Sequence, residues 1–317
     1  MLAGSAVATS AIEGEVMSLP SARSSLAKRL GLDSGGAATT PQTEGLADVL
    51  IDAAQRFSDP LTEERLFGWH AALLPTGRSG LRRIATGCYR GPEAGPMQVV
   101  SGSVGSERVH FEAPHASRLP EEMKRFLRWF NGPVCEDLLL RAAIAHLWFL
   151  TIHPFEDGNR RIARAVADIV LARSDGAAVR FYSMSTQIEI ERAAYYEELE
   201  SQQRGSLDIT GWIGWFLGCL EESFESAYAQ LAEISKHQRL WVRAHGAPGS
   251  PPLNERQSQV LRRVLRGFEG PMATSKYAKI AKCSQDSALR DLADLVARGV
   301  YEMNPSGGRS TSYRLMA

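Results

Sequence analysis

The chain has no excess of charge of either sign: 36 Lys and Arg stand against 36 Asp and Glu, a formal net charge of +0. A balanced surface gives no long-range field for nucleic acid or membrane binding by the chain as a whole. Cysteine is scarce, with four in 317 residues. Cys88, Cys135, Cys219 and Cys283 are scattered and form no CxxC pair, which argues against a zinc site and fits reduced thiols in a cytoplasm. No apolar run reaches the ~18 residues of a membrane span, because Leu138 to Ile152 is interrupted by Arg141 and His146. Met1 to Val7 lacks the positive n-region and the apolar length of a signal peptide. These absences predict a soluble, cytoplasmic protein with no membrane partner. With 44% hydrophobic residues, the chain can bury one sizeable core and a second, smaller one.

What is present is concentrated in one segment: His153-Pro154-Phe155-Glu156-Asp157-Gly158-Asn159-Arg160-Arg161-Ile162-Ala163-Arg164. A histidine with a reference pKa of about 6.5 is suited to taking a proton from a hydroxyl near neutral pH. Asp157 offers hard oxygen ligands for a magnesium ion that bridges substrate phosphates. Gly158 permits a positive φ, so successive N–H groups can face an anion, and Asn159 can add a side-chain amide donor. Arg160 to Ala172 has few breakers and an apolar rhythm at Ile162, Val166, Ile169 and Val170, which predicts a helix whose N-terminus points at the same anion. Arg161 and Arg164 lie three apart on it, both guanidinium forks on one face. This is the outline of a nucleotide phosphate site.

The segment resembles the signature of the Fic family, H-x-F-x-[D/E]-G-N-x-R-x-x-R. The resemblance implies a mainly α fold, a Fic-type helical core with a short β-hairpin flap, and transfer of AMP from ATP to a Ser, Thr or Tyr hydroxyl of a target protein. It makes His153 the general base, Asp157 the Mg2+ ligand, and Gly158 and Asn159 the anion hole for the α- and β-phosphates. Arg161 is then placed on the β-phosphate, Arg164 on the γ-phosphate, and Phe155 anchors the loop in the core. Arg160 departs from the pattern, since the family most often has Gly or Lys there; a larger cation adds a phosphate contact or points to solvent.

A second match lies at the N-terminus, where Thr9-Ser10-Ala11-Ile12-Glu13-Gly14 resembles the family's inhibitory motif, [S/T]-x-x-x-E-[G/N]. Glu13 paired with Arg164 would hold that guanidinium away from the γ-phosphate and repel the triphosphate. The plain alternative is an N-cap followed by a helix with Glu in its first turn. Related proteins usually carry a further helical segment ahead of the inhibitory helix, so a truncated or naturally short beginning is expected.

Along the chain, Ser5 to Leu19, Ala22 to Leu30, Glu44 to Phe57 and Thr62 to Leu74 read as helices, with Asp33 to Thr43 a loop. Pro96 to Val100 and Arg108 to Phe111 read as a hairpin with a turn over Ser101 to Ser106. The resemblance makes it a flap that aligns the target by strand addition. Leu119 to Phe130 reads as a helix and Glu136 to Ile152 as the central buried helix that delivers His153. Gln187 to Gln203 carries Tyr196, which by the resemblance lines the adenine or α-phosphate pocket, with core packing as the default. Gly211 to Ser223 and Glu225 to Ala244 read as two more helices. His70 and His146 read as packed core histidines, and His110 and His115 receive no role.

Residues 245–252 are a linker by composition, separating an inhibitory segment (1–43) and a catalytic core (44–244) from a domain at 253–317. That last stretch holds 11 Lys and Arg against 6 Asp and Glu, locally about +5. Helices over Asn254 to Phe268, Ser275 to Ala281 and Ser284 to Arg298, then strands Val300 to Met303 and Ser312 to Leu315 around Pro305 to Gly308, outline a winged helix. Its partner is DNA, through Lys282, Arg290 and Arg309, or a protein; a homodimer is also open. Asp286, Asp291 and Asp294 on the reading helix weigh against DNA.

The combined expectation is a Mg2+-dependent protein adenylyltransferase held back by Thr9, Glu13 and Gly14. Two alternatives stand beside it: removal of AMP at the same site, with Glu13 orienting a water, and a DNA-binding regulator whose Fic-like domain senses nucleotide. No motif marks the base pocket, so UTP, GTP and CTP stay open as donors.

Overall fold

The computed structural model describes residues 1–33, 35–101, 108–246, 251–265, 267, 270–305 and 311–316. The hairpin turn, part of the linker, Phe268, Arg309 and the tip beyond Pro305 fall outside them. The chain divides into two units, Met1–Ala227 and Tyr228–Ala317. No helix among the described residues is long and apolar enough to cross a membrane.

The first unit opens with α1 (Leu2–Ile12), whose buried residues are mostly small: Ser5, Ala6, Ala8, Thr9 and Ser10, with Ile12. Small side chains let it sit close to its neighbours, and Ser5 Oγ lies 2.7 Å from the buried Ser183 Oγ. The helix stops well short of the expected Leu19, because Glu13 is its C-cap and Gly14 takes φ +79. Thr9 and Glu13 therefore sit at the end of a helix, which overturns the reading of this segment as a helix start. Next come α2 (Leu19–Arg29), α3 (Pro41–Gln55) and α4 (Glu63–Leu73), each opened by a Ser or Thr cap. A two-residue pair, β1 (Arg78–Ser79) and β2 (Arg82–Arg83), lies outside the expected elements. The expected hairpin is β3 (Gln98–Ser101) against β4 (Arg108–Glu112), antiparallel, with a register shift between Val99 and Val100.

Then α5 (Leu119–Asn131) leads to α6 (Leu138–Ile152) and α7 (Asn159–Asp175), which place the site. Ala142, Ala143 and Phe149 on α6, and Ile162, Ala163 and Val166 on α7, are all 0% exposed. Both helices are therefore held in the core up to the loop between them. The helix expected over Gln187 to Gln203 is two, α8 (Met184–Ile190) and α9 (Arg192–Arg204), broken at Glu191. Conversely, the two expected after Gly211 are one, α10 (Thr210–His245), since no Gly or Pro interrupts residues 219–245.

The second unit has its own core, including Val260, Leu261, Tyr277, Leu292, Leu295 and Tyr301. Helix α11 (Glu255–Val264) carries a capping box between Asn254 and Gln257. After it come β5 (Met272–Ala273), α12 (Thr274–Ala281), α13 (Gln285–Ala297), β6 (Tyr301–Met303) and β7 (Ser312–Leu315). The strands form an antiparallel sheet in the order β5-β7-β6.

Candidate active site

Helix α6 ends on His153, which is its C-cap at φ 51 and ψ 59, a left-handed conformation rare for a residue with a side chain. Pro154 comes next and bars the helix from continuing. His153 Nδ1 lies 3.3 Å from the Leu150 carbonyl. A carbonyl only accepts, so Nδ1 carries the proton and Nε2 keeps its lone pair. Burial pushes the imidazole down to about 4, against the Leu150 carbonyl, while Arg160 and Arg90 add to the shift and Asp157 opposes it. Near neutral pH His153 is therefore an uncharged base whose Nε2 has no hydrogen-bond partner among the described residues.

The loop after it is pinned from below. Phe155 is 0% exposed and stacks on His70 with ring centroids 4.2 Å apart. Asn159 Oδ1 accepts the Phe155 N–H at 3.0 Å and its Nδ2 donates to the Phe155 carbonyl at 2.8 Å. The Asn159 amide thus closes the loop on itself and keeps one Nδ2 hydrogen beyond the bond to Phe155. Gly158, at φ +77, turns the chain into α7, which has no side-chain cap. Its first intrahelical bond runs from the Ile162 N–H to the Gly158 carbonyl, 3.0 Å, which leaves the first-turn amides for an anion. Gly158 N–H also donates to Asp157 Oδ1 at 2.6 Å.

Three arginines surround this helix start, and the N-terminal segment engages all of them. Glu13 Oε1 lies 2.8 Å from Arg164 Nη2, and Glu13 Oε2 lies 2.7 Å from Arg160 Nη2. Thr9 adds two contacts to Arg164: its Oγ1 accepts from Nε at 2.7 Å and its carbonyl from Nη2 at 3.2 Å. Burial resists a charge on Glu13, but Arg164 and Arg160 outweigh it and hold the carboxyl at about 2. Gly14 then turns the chain so that the Glu15 N–H returns to the Ser10 carbonyl, 3.0 Å, and the Glu15 carboxylate reaches Arg161 Nη1 at 3.0 Å. Arg161 Nε and Arg164 Nη1 are buried donors without a hydrogen-bond partner among the described residues.

Arg160 is held charged by Glu13 despite its burial, and its guanidinium lies 5.3 Å from the Tyr196 ring centroid. Tyr196 OH donates to the Ile12 carbonyl at 3.2 Å. Its neighbour Tyr195 is the core residue, 0% exposed and 3.0 Å from His146 Nε2.

His153, Asp157, Gly158, Asn159, Arg160, Arg161, Arg164, Thr9, Glu13 and Tyr196 thus fall on one loop and the elements packed around it; Gly14 contributes only the turn. Sequence reasoning missed Glu15, Arg90 and the place of His70 under the loop. For Glu15 a signal existed: a glycine just past a helix end reverses the chain and brings the next residues back against the helix. Among the described residues no group of three or more His, Cys, Asp or Glu side chains could hold a metal unaided.

Comparison with known proteins agrees with this geometry. Residues 60–171 match the model of the Fic/DOC family. A protein adenylyltransferase fic-1 of Caenorhabditis elegans is 29% identical over 201 residues, 63% of this chain and 36% of that protein. A protein adenylyltransferase Fic of Drosophila mojavensis is 27% identical over 216 residues, 68% and 39% of the respective lengths. The matched part therefore spans well under half of these curated relatives. Among solved structures, a Fic family protein from Desulfovibrio desulfuricans G20 superposes with a TM-score of 0.55 at 21% identity, covering 99% of this chain and 86% of that one. At that identity the likeness concerns the fold. The motif, the loop it forms and the family match agree: residues 60–171 are similar to the Fic/DOC family domain.

Proposed function

We propose that the protein is an adenylyltransferase that moves AMP from ATP to a hydroxyl of a protein target and that rests in a self-inhibited form. The observation that carries this reading is the pairing of a neutral His153 with free Nε2 and an uncapped helix start ringed by Arg160, Arg161 and Arg164. In the reaction, Nε2 takes the proton of a Ser, Thr or Tyr hydroxyl, whose oxygen attacks the α-phosphorus, and pyrophosphate leaves. The α7 amides, Arg161 and Arg164 stabilise the charge that builds on the phosphate oxygens. The relatives named adenylyltransferases support the reaction class.

Asp157 fits a magnesium ion as a single carboxylate whose other partners would be phosphate oxygens, since Glu156 is occupied by Arg82 and the Ala85 N–H. Bound there, the ion would neutralise phosphate charge. Inhibition arises from competition: Glu13 and Thr9 hold Arg164, and Glu13 also holds Arg160.

The second unit supports a winged-helix reading through its element order and three-stranded sheet. Two of the three acidic residues that weighed against DNA are engaged elsewhere: Asp291 with Arg256 and Asn254, Asp294 with Arg298 and Gln257. Lys282 and Arg290 are then the phosphate contacts we propose. The four cysteines are free, which fits a reducing cytoplasm.

The test is to incubate wild type, Glu13→Gly and His153→Ala with magnesium and ATP labelled at the α-phosphate in cell extract. Protein labelling that rises in Glu13→Gly and vanishes in His153→Ala is the expected outcome. Equal or absent labelling in all three sinks the reading and favours AMP removal, another nucleotide or DNA binding.

A further inference from the structure

We propose that Arg90 is a positioning residue for His153 and links it to the foot of the β3–β4 hairpin; this rests on the transferase reading. Arg90 lies in the segment between β2 and β3 and is 3% exposed. Its backbone N–H donates to the Pro154 carbonyl at 2.9 Å, and its Nε donates to the His153 carbonyl at 2.9 Å. Its Nη2 donates to the carbonyl of Pro114, two residues past β4. One side chain therefore holds the peptide that carries the catalytic imidazole and the exit of the hairpin.

This use explains a costly burial. Among the described residues no carboxylate pairs with Arg90, and burial pushes its pKa down with nothing to offset it. Its partners are carbonyls, two of them in structure whose position the reaction needs. His153 has a left-handed backbone, a strained conformation for a residue with a side chain, which persists only where its surroundings hold it. With its carbonyl tied to Arg90, the residue cannot rotate toward the extended region that Pro154 favours. The same segment braces the loop twice more: the Ala85 N–H donates to Glu156 Oε1 at 3.1 Å, and the Gly87 N–H to His70 Nδ1 at 3.1 Å. Of these braces, Arg90 alone reaches both the base and the hairpin. A target strand laid on the hairpin edge is thus registered against the imidazole through one guanidinium.

The test uses the full chain carrying Glu13→Gly, compared with the same chain carrying Arg90→Met or Arg90→Lys. In Arg90→Met, kcat for AMP transfer falls about a hundredfold, the scale of an ångström-sized misplacement, while KM for ATP stays within about twofold. Arg90→Lys restores part of kcat. Hydrogen exchange in Arg90→Met quickens at the amides of His153 and Phe155 and stays at parent values in the centres of α6 and α7. Unchanged kcat, or a joint loss of kcat, ATP affinity and protection throughout the unit, overturns the proposal. If the Glu13→Gly parent transfers no AMP, the transferase reading fails, and exchange alone decides: local loss at His153 and Phe155 upholds the brace, unchanged protection refutes it.

Discussion

Glu15 places both carboxylate oxygens against one nitrogen of Arg161, at 3.1 and 3.0 Å. Two residues after Glu13 and across the Gly14 turn, it extends the N-terminal grip to a third guanidinium. Its side chain is 48% exposed, so the pair contributes no more than about 1 kcal/mol. Glu15→Gln should therefore raise basal transfer by about fivefold at most, and by less in a Glu13→Gly background, where the segment is already loosened. Initial labelling rates of the two single variants and the double variant test this. Equal effects of Glu15→Gln in both backgrounds would show that Glu15 acts independently of Glu13, and no effect in wild type would show that it plays no part in the restraint.

Arg160 gives Glu13 a second partner, which a glycine at that position could not. Arg160→Gly should raise basal labelling severalfold while staying below Glu13→Gly, because Arg164 still holds both Glu13 and Thr9. Labelling below wild type would instead make Arg160 a nucleotide contact.

The Glu13 carboxyl is depressed to about 2 from an ordinary 4.5. A depressed carboxylate stabilises the fold in full above its unfolded pKa, and that contribution is lost as pH falls from 4.5 toward 2. Acidification across about pH 8 to 5 therefore leaves the latch intact. Wild type should remain repressed relative to Glu13→Gln at every pH in that range. A ratio that collapses near pH 6 would locate the restraint in another group.

His70 and His146 are 0% and 1% exposed, and burial pushes them down to about 4 and about 3. Here the unfolded chain binds the proton first, so stability is full above about 6.5 and is lost as pH falls toward those values. Each contributes up to about 1.4 kcal/mol per pH unit in that window. Urea midpoints measured at pH 7, 6 and 5 should fall progressively; a flat series would mean that neither histidine is held neutral by the fold.

Asp291 joins α13 to α11 and α12, accepting from Asn254 at 2.8 Å, Arg256 at 2.9 Å and Tyr277 OH at 3.3 Å. Asp291→Ala strips partners from these donors and should cost the second unit about 2–3 kcal/mol. Hydrogen exchange of the α13 amides reads this directly. Unchanged protection would mean that the network contributes nothing to stability.

The loop from His153 to Arg164 is legible in the sequence because its chemistry is contiguous: base, turn glycine and arginines lie within one helix end and one helix start. Helices α4, α5 and α6 are legible for a similar reason: their apolar residues are local in the sequence. Glu13 could be placed only through the resemblance, since nothing in residues 1–15 names a partner near 164. Arg90 and Glu15 draw their meaning from contacts across 63 and 146 positions, which no local pattern encodes. The break at Glu191 has no Gly or Pro to announce it. The turn at Gly14 has its glycine as a local signal, but helix-compatible residues on both sides of it mask the stop.

On the proposed reading the latch is part of the polypeptide, and that would change what can open it. A carboxylate tethered beside Arg164 acts at an effective concentration fixed by chain geometry, on the order of millimolar or above, and dilution of the protein does not weaken it. Under that reading a free nucleotide would have to outcompete that local concentration, and its apparent affinity would be lowered by the fraction of molecules with the arm displaced. The reciprocal also holds: whatever draws the arm away tightens nucleotide binding by the same factor. A peptide copied from residues 1–15 and added to a chain lacking them would lose this advantage, and would restrain the arginines only when supplied at comparable concentration.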